Sequence, residues 1–379
     1  MNRKILKVFI SLLILLLFTG CGFNVDNKIN NEVYDVEIDI NEIDQAFVPA
    51  IEIASESTLG ITVYNKKSYA KDWEAISVGS CVIYEGIAIT KDGDKINIKD
   101  SYTRDDINTY KYKAVTNAHV VEGGKGSNKY VIYDGDTDSS WELDILGKDT
   151  DIDLAVVSFE SPVLYIPITF ADSDLVKKGQ IVLAVGNSNG YEYYSSATMG
   201  IISYPKRYTE ESGYAMEYIQ HDAAINPGNS GGALVNIKGE LVGINTSKIV
   251  EDDVDSMGFA IPVNTVKKVL NRLENGEVIN KSSQLFDGDT ITSLKLNAFL
   301  NAVENNLGSL DYGYKLSHVP RYSIFYSYFK IDDIVLEVNN QKIYNELFFK
   351  HSLMLCESGD KVSINLIRNN ELVVFDIEF

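Results

Sequence analysis

Asn226-Pro227-Gly228-Asn229-Ser230-Gly231-Gly232 places a serine in a glycine-rich turn, with an apolar, strand-like run on each side. Glycine adopts backbone angles that residues with a Cβ resist. Such a turn can aim the N–H groups of Gly228 and Ser230 at one point, and the whole loop Gly228, Asn229 and Ser230 is the candidate oxyanion hole. Convergent N–H donors are what a tetrahedral acyl intermediate requires. The same turn leaves the Ser230 hydroxyl available as a nucleophile.

A serine hydroxyl needs a base to take its proton. The chain has four histidines, His119, His221, His318 and His351. His119 closes the β-like run Ala114-Val115-Thr116-Asn117-Ala118-His119, and Asp153 enters the apolar run Leu154-Ala155-Val156-Val157. The order His119, Asp153, Ser230 is that of chymotrypsin-type enzymes, whereas subtilisins and α/β-hydrolases arrange the same groups differently. Gly228-Asn229-Ser230-Gly231-Gly232 also fits the G-x-S-x-G elbow. That elbow requires a helix after the serine and a later histidine, while Ala233-Leu234-Val235 reads as strand. His221 sits in a β-like run and is expected on its exposed face.

These segments carry a resemblance. Thr116-Asn117-Ala118-His119-Val120-Val121, Asp153-Leu154-Ala155-Val156 and Asp222-Ala223-Ala224-Ile225-Asn226-Pro227-Gly228-Asn229-Ser230-Gly231-Gly232 are similar to the three catalytic segments of the HtrA/Deg family. Those are trypsin-like serine proteases of cell envelopes. The resemblance implies a mostly β protein with a chymotrypsin-like double β-barrel, followed by a small α+β PDZ-like domain. It makes His119, Asp153 and Ser230 the catalytic triad, and it assigns Asp222 to the scaffold. It also implies protein quality control and a homotrimer.

Composition narrows the class. The chain has 379 residues, room for two or three domains, and 45% hydrophobic residues. A formal charge of −20 argues against nucleic acid as a main partner. The 23 tyrosines suit a β-rich protein. Arg3, Lys4 and Lys7 precede the apolar run Val8 to Phe18, and Phe18-Thr19-Gly20-Cys21 resembles a bacterial lipobox. Residues 1–21 therefore read as a lipoprotein signal peptide with Cys21 lipidated. The run is shorter than the roughly 20 residues of a spanning helix. The expected location is the extracytoplasmic face of the cell membrane. Cys81 and Cys356 are then expected as free thiols, Cys81 packed in a strand.

Along the chain, residues 22–48 are polar and acidic and read as a tether, with a short helix from Pro49 to Thr58. Residues 49–274 hold many short strands broken by Gly, Asn and Pro, as in a barrel or sandwich, and close on a helix over Asn264 to Leu273. Residues 85–113 are longer than the family hairpin and read as an extended surface loop or an extra hairpin. Residues 275–288 form a linker. Residues 289–379 are assigned to a degenerate PDZ-like domain, similar to PDZ from Ile331 onward. The carboxylate-capping loop is missing near Gly288 to Thr292. Asp134, Asp136 and Asp138 alternate like a calcium loop, but Ser139 and Ile145 stand where an EF-hand needs Gly and Glu. A solvated acidic turn is expected there, and no metal or cofactor.

In a trypsin-like fold, Ala223, Ala224 and Ile225 floor the specificity pocket. Without a buried anion it favours small or medium apolar side chains. Ile244-Asn245-Thr246 is the expected edge strand for an extended peptide, so Ala224, Ile225, Ile244, Asn245 and Thr246 form the expected substrate contacts. The substrate class is unfolded or misfolded polypeptide, cleaved through an acyl-enzyme. The rival class is a binding or sensing protein that keeps the protease fold but hydrolyses little. A second rival is an esterase.

Overall fold

The computed structural model describes residues 40–98, 104–188, 190–211, 214–247, 257–277, 286–290, 312–323, 325–356 and 359–378. Cys21, the leader over 1–21, the tether as far as residue 39 and residues 278–285 of the linker lie outside these. A first barrel comprises β1 (Thr58–Lys66), β2 (Glu74–Thr90), β4 (Ile107–Thr116), β5 (Ser127–Asp134), β6 (Ser139–Asp149) and β7 (Leu154–Ser161). Its pairing runs β1-β5-β6-β7-β4-β2 and returns from β2 to β1. The second barrel comprises β8 (Ile181–Ser188), β9 (Tyr193–Glu211), β10 (Tyr214–His221), β11 (Ala233–Val235), β12 (Leu241–Thr246) and β13 (Gly258–Pro262). It closes in the order β10-β13-β12-β11-β8-β9. Closure leaves no unpaired strand edge within either ring.

The apolar runs that flank the candidate catalytic residues are continuous because these strands are buried on both faces. In the first barrel Cys81, Ile83, Ala114, Ala155 and Val157 point inward. Their neighbours Val82, Val115, Leu154 and Val156 point outward and join Leu183, Val185, Ala233 and Val235 of the second barrel in one cluster. Alternation along a strand thus fills a barrel with one set of residues and the seam with the other. Burying each such aliphatic side chain stabilises the fold by about 1.5–3 kcal/mol.

Two helices cover the seam. The first, α1 (Ile40–Ser57), is longer than expected: it starts inside the segment read as tether, and Pro49 lies in its interior, not in its first turn. Proline removes a helical hydrogen bond. Here Phe47, Ala50, Ile51 and Ala54 form an apolar stripe packed on the seam cluster, and that contact holds the helix. The second, α2 (Val263–Glu274), buries Val263, Val266, Val269 and Leu273. It lies so close to β6 that a Cβ on Gly147 would sit 2.0 Å from the Leu273 carbonyl oxygen. Among the described residues no helix is long and apolar enough to cross a membrane.

The 85–113 insertion prolongs the β2–β4 hairpin, with Ile87 opposite Lys111 and Ile89 opposite Thr109. A further strand, β3 (Lys95–Asn97), pairs on its outer side. The acidic turn is not solvated throughout, since Asp134 is buried. Its carboxylate accepts the Asp136 N–H, the Thr137 hydroxyl and the Tyr165 hydroxyl at 2.7–2.9 Å. It is a cap that ties the β5–β6 turn to the barrel wall.

A third sheet follows, in the order β14 (Asp287–Thr290), β15 (Tyr314–His318), β16 (Ile334–Val338), β18 (Lys361–Arg368) and β19 (Glu371–Glu378). A short β17 (Gln341–Lys342) pairs with β16. Gly288 lies in β14, whereas residues 291 and 292 are outside the described set. Helix α3 (Glu346–Met354) starts at Asn345, whose side chain caps the Phe348 N–H at 2.9 Å. Its Phe349 packs on Phe286, Tyr314 and Phe329 in an aromatic core. The outer face of α3 meets the β9–β10 hairpin, where the Tyr208 and Phe348 rings stack at 4.8 Å. There the buried His351 Nδ1 donates to the Ala215 carbonyl at 3.1 Å. Cys81 and Cys356 are free and buried, and burial pushes both thiols up to about 12. Neither is a nucleophile at neutral pH.

One ion pair anchors the third sheet. Arg368 grips Asp333 through two nitrogens, at 2.8 and 2.6 Å, and Asp333 is 1% exposed. Removing one partner leaves an uncompensated buried charge. We therefore expect Arg368→Ala to lose about 3 kcal/mol in denaturant unfolding of this sheet. The double variant Arg368→Met/Asp333→Asn should regain most of that loss.

Candidate active site

His119 and Asp153 come from the first barrel. After β4 the chain makes a tight turn in which Val120 N–H reaches the Asn117 carbonyl at 3.2 Å, and this turn lifts His119 to the seam. Asp153 precedes β7 with φ 55°, an unusual angle for a residue with a side chain. The Asn117 side-chain amide holds it there by donating to the Asp153 carbonyl at 3.0 Å. The carboxylate then receives the His119 ring at Nδ1, 2.9 Å from each oxygen, and the His119 backbone N–H at 3.1 Å. A third donor to the carboxylate crosses the seam: Thr246 Oγ1, from the second barrel, lies 3.1 Å from Oδ2. Asp153 is 2% exposed, and these donors offset the cost of burying its charge. With Nδ1 donating to the carboxylate, the His119 Nε2 is the acceptor, the tautomer that can take a hydroxyl proton.

Ser230 comes from the second barrel. Asn226-Pro227-Gly228-Asn229 is a type II turn: proline and glycine occupy its central positions, Gly228 has φ 102°, and Asn229 N–H donates to the Asn226 carbonyl at 3.0 Å. That bond corrects one expectation, because the Asn229 N–H is consumed by the turn. The donors left for an oxyanion are the N–H groups of Gly228 and Ser230, which reach no carbonyl of the described residues. The Asn229 side chain instead accepts from Ser188 Oγ at 2.8 Å. Gly231 has φ 82°, and a Cβ there would lie 2.1 Å from the Ser80 carbonyl oxygen. No other residue type fits.

The Ser230 hydroxyl does not bond His119 in this structure. It lies 2.7 Å from Ser247 Oγ and accepts the Ser247 N–H at 3.1 Å. Ser247 and Ser80 escaped the sequence reading. Ser247 directly follows Ile244-Asn245-Thr246, so proximity in the chain was the available signal.

The expected substrate contacts need correction. Ile244 and Asn245 are fully buried, with Ile244 paired to Ala233 on one side and Ile261 on the other. Both are paired on two sides within the sheet and offer no edge. Thr246 pairs with Phe259 and donates its hydroxyl to Asp153, and the next residue, Ser247, reaches Ser230. Ala224 is exposed and Ile225 half-buried beside the serine turn. Asp222 accepts the Ile201 N–H at 2.6 Å, a scaffold role.

Two closed barrels with His, Asp and Ser meeting at their seam define a trypsin-like serine protease. The family model described as "Trypsin-like peptidase domain" matches residues 105–244. The Serine protease Do-like HtrA of Lactococcus lactis subsp. lactis (strain IL1403) is 30% identical over 356 residues, 87% of this chain and 81% of that protein. Serine protease Do-like HtrB of Bacillus subtilis (strain 168) is 31% identical over 299 residues, 76% of this chain and 59% of its own length. The chain likewise spans only 63% of the HtrA of Lactococcus lactis subsp. cremoris. Among solved structures, the HtrA-type protease AlgW with tripeptide superposes with a TM-score of 0.58 at 26% identity, covering 87% of this chain and 95% of that one. The chain belongs to the HtrA family of serine proteases.

His221 is not on an exposed face. It is fully buried where β10 meets β13, and a Cβ on its partner Gly258 would strike the ring at 2.4 Å. Burial lowers its pKa from 6.5 to about 4 and outweighs the opposing pull of Asp222. The unfolded chain therefore binds a proton here near pH 6.5 and the folded chain only near pH 4. The stabilisation is whole above pH 6.5 and falls as pH drops toward 4, by about 3 kcal/mol in all. His221→Gln should flatten unfolding free energy over that window relative to the parent protein, as read by denaturant titrations at stepped pH.

Proposed function

We propose that the protein is an extracytoplasmic, membrane-tethered serine endopeptidase that cleaves unfolded or misfolded polypeptides through an acyl-enzyme. The observation that carries it is the two-oxygen grip of Asp153 on His119 Nδ1, next to a serine on a turn with two unspent N–H donors. In the reaction Ser230 gives up Ser247, hydrogen-bonds the His119 Nε2 and attacks the scissile carbonyl. His119 takes its proton and returns it to the leaving amine, while Asp153 holds the ring and stabilises the imidazolium. The oxyanion rests on the N–H groups of Gly228 and Ser230. A relative from Buchnera aphidicola bears the name "Probable periplasmic serine endoprotease DegP-like", which supports the location.

The substrate in this proposal is an unfolded segment, because only an extended chain can lie along the strands beside the serine turn. In the same proposal residues 49–274 are the catalytic unit and residues 289–379 a PDZ-like domain. Cys21 is the lipid anchor, with residues beyond it as tether. A second reading, a protease-fold binding protein with little hydrolysis, draws on the Ser230 hydroxyl being held by Ser247.

The test is casein degradation by the protein lacking residues 1–21, beside its Ser230→Ala variant. Cleavage is expected from the first and none from the second. No cleavage by either would favour the binding protein, and equal cleavage would remove Ser230 as nucleophile. For the anchor, Cys21→Ser should shift the full-length protein out of the detergent-soluble membrane fraction on subcellular fractionation.

A further inference from the structure

Ser80 belongs to β2 of the first barrel and is fully buried, yet every polar atom it has is aimed at the serine turn or its supports. Its N–H donates to the Ser230 carbonyl at 2.8 Å, and its own carbonyl accepts from Thr116 Oγ1 at 2.6 Å. Its hydroxyl lies 2.8 Å from the Gly228 carbonyl, 2.9 Å from the Asn187 N–H and 3.1 Å from Asn187 Nδ2. A hydroxyl offers one proton and two lone pairs. Both Asn187 groups are donors, so they fill the lone pairs. The Ser80 proton can go only to Gly228.

That direction matters for the oxyanion site. The carbonyls of Gly228, Asn229 and Ser230 are each taken up: by Ser80 Oγ, Gly232 N–H and Ser80 N–H. A peptide group is planar, with its N–H opposed to its carbonyl. Holding the Asn229 carbonyl on Gly232 turns the Ser230 N–H the other way, and the Ser80 bonds clamp the residues on each side of it. Asn187 is itself fully buried, and its Oδ1 accepts the Ser195 N–H at 3.0 Å. The hydroxyl of Ser80 is thus the node where the first barrel, the Asn187 segment and the serine turn meet.

We propose that Ser80 is a positioning residue that sets the oxyanion turn: its side-chain hydroxyl, oriented by Asn187, holds the Gly228 carbonyl and keeps the Gly228 and Ser230 donors convergent. It touches no substrate and acts through the turn. The proposal rests on the serine-protease reading above, so the parent protein must first cleave a fluorogenic peptide; if it does not, that reading fails and Ser80 is not at issue.

With an active parent, Ser80→Ala is compared with Ser80→Cys, which keeps the side chain's shape with a weaker donor. Thermal melting establishes that each is folded. Ser80→Ala should lower kcat roughly 10- to 100-fold, with KM within about 2-fold, because the loss falls on the transition state. The second-order rate of Ser230 phosphonylation by a fluorophosphonate should fall in parallel, and Ser80→Cys should lie between. A folded Ser80→Ala with parental kcat and phosphonylation rate would overturn the proposal. So would a change confined to KM. Should Ser80→Ala not fold, Ser80→Cys decides by the same two rates, and parental values in it overturn the proposal.

Discussion

The candidate catalytic residues sit on two closed barrels, and everything in the site depends on holding those barrels in register at a buried seam. A polar group buried there without a partner is costly, and two of the bonds that satisfy such groups cross from one barrel to the other. The Ser80 N–H meets the Ser230 carbonyl, and Thr246 Oγ1 meets the Asp153 carboxylate. These bonds sit within the cluster of Val82, Val115, Leu154, Val156, Leu183 and Val185. Apolar packing supplies the cohesion. The polar pairs select one alignment among the many that packing alone would tolerate, since a slip would strand a buried carboxylate or carbonyl.

The same constraint explains the glycines around Ser230. The turn passes so close to β2 that Gly231 has backbone on its Cβ side, while Gly228 needs a left-handed angle to complete the type II turn. Close approach lets Ser80 reach the turn carbonyls directly. Asp153, at a strained angle for a side-chain-bearing residue, is held by Asn117 and by His119. Strain of this kind persists only where surrounding bonds over-determine it.

The third sheet is joined to the second barrel through few but well-buried contacts. His351 and Phe348 sit on the β9–β10 hairpin, and Met354 and Leu355 extend the seam cluster. Burial lowers the pKa of His351, so this contact favours a neutral imidazole that donates to Ala215. A helix of the C-terminal sheet therefore shares a core with the strands that carry the serine turn.

Much of this was legible in the chain. The order His119, Asp153, Ser230 follows from local motifs, and so do the strands around them, because alternation and turn residues act over a few positions. That both cysteines are free was also readable, as was the burial of Cys81, since a thiol in an apolar strand behaves as a hydrophobe. What tertiary structure alone decided are contacts between residues distant in the chain. Pro49 lies within a helix because a seam-facing stripe compensates for it. His221 is buried because β13 brings Gly258 against its ring, and Asp134 because Tyr165 and the β5–β6 turn close over its carboxylate. Ile244 and Asn245 offer no edge because β13 pairs along them. The second serine on Ser230 and the hydroxyl behind the oxyanion turn were hidden for the same reason: periodicity reports which face a residue takes, and only closure of the barrels reports what that face meets.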